Sequence, residues 1–307
     1  MWTSDKRYIV QCDVGIAPGY TLTIQPGTEV RFAGNYNLNV GRTLIADGTA
    51  EQPIRFASHT GGAWGRIFFD DPSTDAQATS SGDYQSGNLL RYVHIESAGR
   101  GIACTNATPF LEHVTLSGGG MNCAAGVTAL WVKDSDLRGG VQTSGSAPGS
   151  HLLRTTVQGN LNLPAGSQAL SSTVIGGGIS IGGNGIVENS TVHSGNISVG
   201  SGSVLTSTVI GGGIVIGGGV ANGNNVENAP GWGIQASGTV TLAHNRVVGC
   251  ANGIQVGGGV VRANQPGRQH RRPGPGDRLR NGGAQHLHRH RRQRHPAQLG
   301  DARRDRI

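Results

Sequence analysis

Four aspartates crowd one polar stretch of the chain: Asp70, Asp71, Asp75 and Asp83, among the Ser, Thr and Gly residues that follow Phe69. Carboxylate oxygens at this density are the ligands a hard cation takes, and Ca²⁺ is the ion they suit, although their spacing matches no standard calcium loop. Ordinary solvation of a polar loop accounts for the same four residues. Asp70 and Asp71, with nearby Arg66, are also the best candidates for a polysaccharide lyase or glycoside hydrolase. Further on, Trp131 sits between apolar Leu130 and Val132. In a strand it therefore faces outward if they face inward. An outward indole stacks on a sugar ring or lies under a covering loop, and the sequence leaves both open.

These residues hang on a repeat. One short phrase, Gly or Asn followed by an aliphatic residue, begins at Gly101, Gly120, Gly140, Asn160, Gly178, Asn196, Gly213, Gly233 and Gly253. A recurrence near 20 residues marks a solenoid. The aliphatic column reads Ile102, Met121, Val141, Leu161, Ile179, Ile197, Ile214, Ile234, Ile254; two residues on come Cys104, Cys123, Thr143, Leu163, Ile181, Val199, Ile216, Ala236, Val256. A spacing of two puts both columns on one face of a strand, so stacked copies form inward ladders about 4.8 Å apart. Up to two further apolar bursts occupy each repeat: one like Thr173-Val174, Thr191-Val192 and Thr208-Val209, the other like Leu152-Leu153, Ile186-Val187 and Val204-Leu205, with a longer one from Val127 to Val132. Three short strands per rung, with Gly, Asn and Ser at the corners, predict an all-β parallel β-helix. Ser172 to Ile179 recurs unchanged at Ser207 to Ile214, two rungs later. Rung lengths drift instead of holding a six-residue beat, which favours the right-handed form.

The N-terminal hundred residues carry a resemblance. Tyr20 to Phe32, Leu44 to Thr49, Pro53 to Phe56 and Trp64 to Phe69 resemble the opening of bacterial secreted or surface right-handed parallel β-helix repeat proteins, over roughly residues 2 to 265. The resemblance implies the fold and an extracellular or cell-envelope setting, and no particular reaction, because this architecture hosts enzymes, adhesins and scaffolds alike. The Asn-Thr-Asp, Asp-Asp and Gly-His-Gly motifs of pectin-degrading hydrolases do not occur in order; Asp70-Asp71 stands alone.

Charge divides the chain. Residues 266–307 hold 12 Arg, no Lys and 3 Asp, so of 25 basic and 18 acidic residues the body of 1–265 keeps 13 and 15, a net charge of −2. The body thus lacks the basic stripe that binding to nucleic acid requires. Residues 266–307 are too poor in aliphatics to continue a core and read as a disordered Arg/His-rich tail. That tail is a solvated extension, a nucleic-acid or metal-binding tract, or translation in a shifted frame. Codon degeneracy favours the last: moving one nucleotide forward from Gln285 to Pro296 permits Asn-Ile-Ser-Ile-Gly-Ile-Gly-Gly-Asn-Gly-Ile, close to the rung phrase at Asn196. Met1 to Tyr20 holds no signal-peptide run and no segment is long enough to span a membrane, so the extracellular expectation requires an export signal upstream.

Two remaining groups are weighed on the same register. Between Gly139 and Gln265 the charged residues are Arg154, Glu188, Glu227, Arg246 and Arg262. Glu188 and Glu227 lie two rungs apart, about 10 Å if they share a face, a separation that suits an inverting pair of carboxylates, but each follows a strand and precedes Asn, which reads more readily as a solvated corner. Cys104 and Cys123 share an inward position on adjacent rungs; straight stacking near 4.8 Å exceeds the Cβ separation of about 3.5–4.5 Å that a disulfide prefers, which favours buried thiols. Together these residues predict a non-catalytic exported scaffold or adhesin with a polysaccharide or cell-surface glycan as partner and no required cofactor. The alternative is a lyase or hydrolase using Arg66, Asp70 and Asp71.

Overall fold

A computed structural model describes residues 1–124, 129–144 and 149–267. It is an all-β parallel β-solenoid of about 12 turns. Each rung contributes to three faces. The first face holds the repeat phrase, and its ladder runs Ile102↔Met121↔Val141↔Leu161↔Ile179↔Ile197↔Ile214↔Ile234↔Ile254, the order expected from sequence. Strands such as Trp131–Lys133, His151–Leu153, Gln168–Leu170 and Gly185–Glu188 stack on the second face. The third carries Asp136–Arg138, Thr156–Gln158, Thr173–Ile175 and Thr191–His193. Of the burst from Val127 to Val132, Val127 falls outside the described residues, and the strand is Trp131–Lys133.

Inward positions of all three faces meet in one continuous core. Ile179, Ile197, Ile214, Val174, Val192 and Val187 are buried, and a fully buried aliphatic of this size contributes about 1.5–3 kcal/mol. At the N-terminal end the core widens to admit Phe32, stacked on Trp64 with ring centroids 3.9 Å apart. The Trp64 indole nitrogen donates to the Glu96 carbonyl at 2.6 Å, which satisfies its one polar atom.

The corner between the second and third faces is built the same way on rung after rung. Its first residue takes a left-handed backbone: Tyr92, His113, Asp134, Arg154, Ser171, Asn189, Thr206, His244 and Ala263 all have φ between 45° and 54°. Each such non-glycine residue costs of order 1 kcal/mol or more. An inward polar residue follows and offsets that cost. Thr155 N–H donates to Ser172 Oγ, Ser172 N–H to Ser190 Oγ, Ser190 N–H to Ser207 Oγ, Ser207 N–H to Asn224 Oδ1 and Asn224 N–H to Asn245 Oδ1, at 3.0–3.2 Å. Turning the chain takes these amides out of the strand ladder, and the next rung's side chain completes them.

Two expectations change at this level. Glu188 lies on the second face, level with Leu170 and Leu205, whereas Glu227 lies on the third, level with Ile210 and Val248. They share no face, because the shorter rungs put each at the end of a different strand. Cys104 and Cys123 do sit opposite each other, but their Cα atoms approach to 4.3 Å and the sulfurs are joined. This corrects the buried-thiol reading, since the rungs pinch together here below ideal strand spacing. Cys12 is free and exposed, and Cys250 free and buried.

The ladder also runs slightly past the expected boundary, as Gln265–Pro266 pairs with Arg246 and Val247. Proline is tolerated at that terminal position. The readings made for the rest of 266–307 fall on residues beyond 267, outside the described part. No helix among the described residues is long and apolar enough to cross a membrane.

Candidate functional site

The rung that leaves Phe69 makes a long excursion before rejoining the second face at Leu89, and this excursion contains the four aspartates. Within it Gln77–Ala78 and Tyr84–Ser86 form a small antiparallel hairpin separate from the main sheet. The hairpin lies on the outer side of the second face, over Leu89, Phe110 and Trp131, where a second small apolar cluster forms. Trp131 does face outward, as its alternation requires, with Leu130 and Val132 fully buried beside it. It is half-buried, stacked on His151 at 3.9 Å with Gly82 of the hairpin against its other ring edge. A covering loop, not an open platform, accounts for this indole. Burial also lowers the His151 pKa below the usual imidazole value.

The aspartates serve this covering rung separately. Asp83 accepts from Lys133 Nζ at 3.0 Å and from Ser81, and these contacts hold its carboxyl below the usual range. Asp75 accepts the Thr108 amide at 3.0 Å. Asp70 accepts the amide of Asp71, and both side chains face solvent. The four make no common cluster. Arg66 and Asp70 flank the strand Ile67–Phe69, which sets their Cα atoms roughly 13 Å apart at about 3.3 Å per residue. The Arg66 guanidinium lies over the Phe68 ring at 4.1 Å.

The sequence reading missed a denser polar cluster at the corner after the second face. Asp47, Arg91, Glu112 and Lys133 occupy one outward column on successive rungs. Arg91 donates to both oxygens of Asp47 at 2.7 Å and lies 3.7 Å from Glu112, which is 3.4 Å from Lys133. Beside this column stand Tyr92, stacked on His113 at 4.4 Å, and Asp134, bound by Arg154 through two bonds of 2.5 and 2.6 Å. Glu112, His113 and Asp134 bring one ligand atom each within 4.8 Å of one another. Arg154 nevertheless takes both Asp134 oxygens, and Lys133 and Arg91 flank Glu112, so cations of the protein already occupy the place of an ion. The only sequence signal was alternation of sign down a column that spans residues 47 to 133, invisible without the register.

Among the described residues, wherever a carboxylate is displaced in pKa it is displaced downward. Hydrogen bonds from Arg154 lower Asp134, those from Arg55 lower Glu96, and those from Arg31 lower Glu29; Glu227 is lowered by Asn225 and then Arg246. A general acid for glycoside cleavage needs the opposite shift, a carboxyl that keeps its proton near neutral pH.

The third feature is a shallow groove of about 270 Å³ on the first face. Asn122, Gln142 and Asn162 stack directly opposite one another along it, with Arg100 and Asn160 at its edge. Among the described residues these three amides have no side-chain hydrogen-bond partner, so their donors and acceptors point to solvent. Ser180 and Ser198 continue the column without charge.

The class this architecture defines is the parallel β-solenoid. Among solved structures the chain is similar to a GH136 lacto-N-biosidase from Eubacterium ramulus, at 11% identity and TM-score 0.30 over 81% of this chain. It is similar also to the catalytic domain of a GH87 α-1,3-glucanase in complex with tetrasaccharides, at 8% identity and TM-score 0.32 over 85%. It spans 63% and 66% of those chains, less than two thirds of either. No model of a protein family matches, and no curated protein matches.

Proposed function

We propose that this protein is a non-catalytic, exported β-solenoid scaffold or adhesin that holds a polysaccharide or cell-surface glycan on its first face. The carrying observation is the column Asn122, Gln142, Asn162: three neutral amides with free donors and acceptors at rung spacing along an open groove. Sugar hydroxyls both donate and accept, as amides do, and the amide column itself carries no charge, Arg100 standing alone at the groove's edge, so it matches a long neutral polymer better than a phosphate backbone, which needs several cations. The strands that present these amides are paired within the main sheet, which fixes their spacing before contact.

The scaffold reading draws support from the state of the charged side chains. Carboxylates near the corner are locked in ion pairs, and the shifts that occur oppose general-acid chemistry. Retention of the protein on immobilised polysaccharides tests the proposal. The triple variant Asn122→Ala, Gln142→Ala, Asn162→Ala should keep the wild-type melting temperature and lose retention on whichever polymer the wild type binds. Unchanged retention by a folded triple variant removes the first face from the account.

A further inference from the structure

In the left-handed corner column Tyr92 stacks on His113, Arg154 binds Asp134 and Thr206 donates to Asn189, while Gly223 interrupts the column further on. Near its start it is open. Opposite Tyr92 on the preceding rung stands Gly48, the neighbour of the paired Asp47 and Arg91. A side chain cannot be placed at Gly48, because a Cβ there would lie 2.6 Å from the Tyr92 carbonyl oxygen and 3.1 Å from the Ile54 nitrogen. His113 covers one face of the Tyr92 ring at 4.4 Å and 11°. Gly48 therefore sets no side chain beside Tyr92, and among the described residues no second aromatic ring stacks on it. The chain from Gly48 to Glu51 turns away before the next strand, and beside it lies an open, shallow depression of about 580 Å³. Tyr92, Pro26 and Ala50 give it apolar walls, and Asp47, Arg91 and Glu112 give it a polar floor.

We infer that this corner pocket is a second glycan subsite that takes a single pyranose ring. A pyranose has an apolar face of C–H groups and a rim of hydroxyls, and the pocket offers the same division: an aromatic wall and fixed planar polar groups. Arg91 holds Asp47 through two hydrogen bonds of 2.7 Å, so these groups meet the ligand already ordered while keeping further lone pairs for its hydroxyls. Tyr92 shares the left-handed backbone of this corner column, with φ of 48°. The choice of a sugar as ligand rests on the glycan-binding proposal; the pocket lies on a different corner from the amide groove, so the two sites are separable.

Saturation-transfer difference NMR on the full chain with methyl glycosides of glucose, galactose, mannose and N-acetylglucosamine tests the inference. At least one should show transfer, and Tyr92→Gly should weaken its binding about tenfold, the scale of one aromatic stacking contact. Glycine relieves the left-handed backbone, so this variant removes the ring without endangering the fold. Tyr92→Phe should retain binding, and the groove variant Gln142→Ala should leave it unchanged while weakening polymer retention. The inference is overturned if none of the four glycosides binds at millimolar concentration, or if Tyr92→Gly, with an intact melting transition, binds as the wild type does. Loss of polymer retention in the groove variants alongside absent glycoside binding would overturn this subsite and leave the first-face proposal standing.

Discussion

Single positions in this protein are fixed by a rule of two. Ile197 and Val199 point inward because Ser198 between them points out, and the same rule turns Leu130 and Val132 in and Trp131 out. Ile197→Asp places a charge among Ile179, Ile214 and their neighbours with no partner in reach. It should cost about 3–5 kcal/mol, read as a large fall in the denaturant midpoint; an unchanged midpoint would take Ile197 out of the core. Such inward positions were legible in the sequence because periodicity alone determines them. The state of Cys104 and Cys123 was not, since about half an ångström of rung spacing separates a thiol pair from a bond, and no residue pattern encodes that distance. Thiol titration of the unfolded, unreduced chain should count two free sulfhydryls, those of Cys12 and Cys250, where four would refute the pairing.

At the scale of the elements, corners rather than strands distinguish one rung from another. The Ser and Asn residues at the corners were visible as turn formers, yet their role as acceptors for the preceding rung follows only from the stacking. Asn224 shows the consequence, accepting the Ser207 amide while its own amide group donates to Asn245 and to the Val204 carbonyl. Asn224→Ala leaves buried polar groups on two rungs unpaired and should cost about 1–3 kcal/mol; calorimetry should show it as a lowered transition, whereas an unshifted one would make the ladder incidental. The outward ion pairs were likewise illegible, because Arg154 meets Asp134 across 20 residues and Arg55 meets Glu96 across 41. They set a dependence on acid. Asp134 and Glu96 have pKa values lowered by folding, so the stability they contribute is complete above the unfolded carboxylate range of about 4 and is lost as pH falls through the lower folded values. The melting temperature should fall as pH drops below about 4.5, and the fall should be shallower in Arg55→Gln, Arg154→Gln. Parallel pH profiles for the two proteins would show that the pairs contribute nothing.

Over the whole molecule, the sequence disclosed the solenoid and concealed its polar geography. The repeat fixed the first-face ladder from Ile102 to Ile254, while the acidic stretch that drew attention first supplies anchors for a covering rung. Asp83 fastens the hairpin to Lys133, and Asp75 caps the Thr108 amide. The groups that gather are those brought together by register: amides on the first face, and an aromatic and ion-pair cluster at the Tyr92 corner. That distribution fits a surface that holds a sugar polymer better than one that breaks it. The most direct measurement is incubation of the purified protein with a polysaccharide panel, following both retention and the appearance of new chain ends. At least one polymer should be retained, with no new reducing or unsaturated ends over prolonged incubation. Cleavage of a bound polymer, abolished by Asp70→Asn and Asp71→Asn in a protein that still folds, would contradict it and establish the protein as an enzyme.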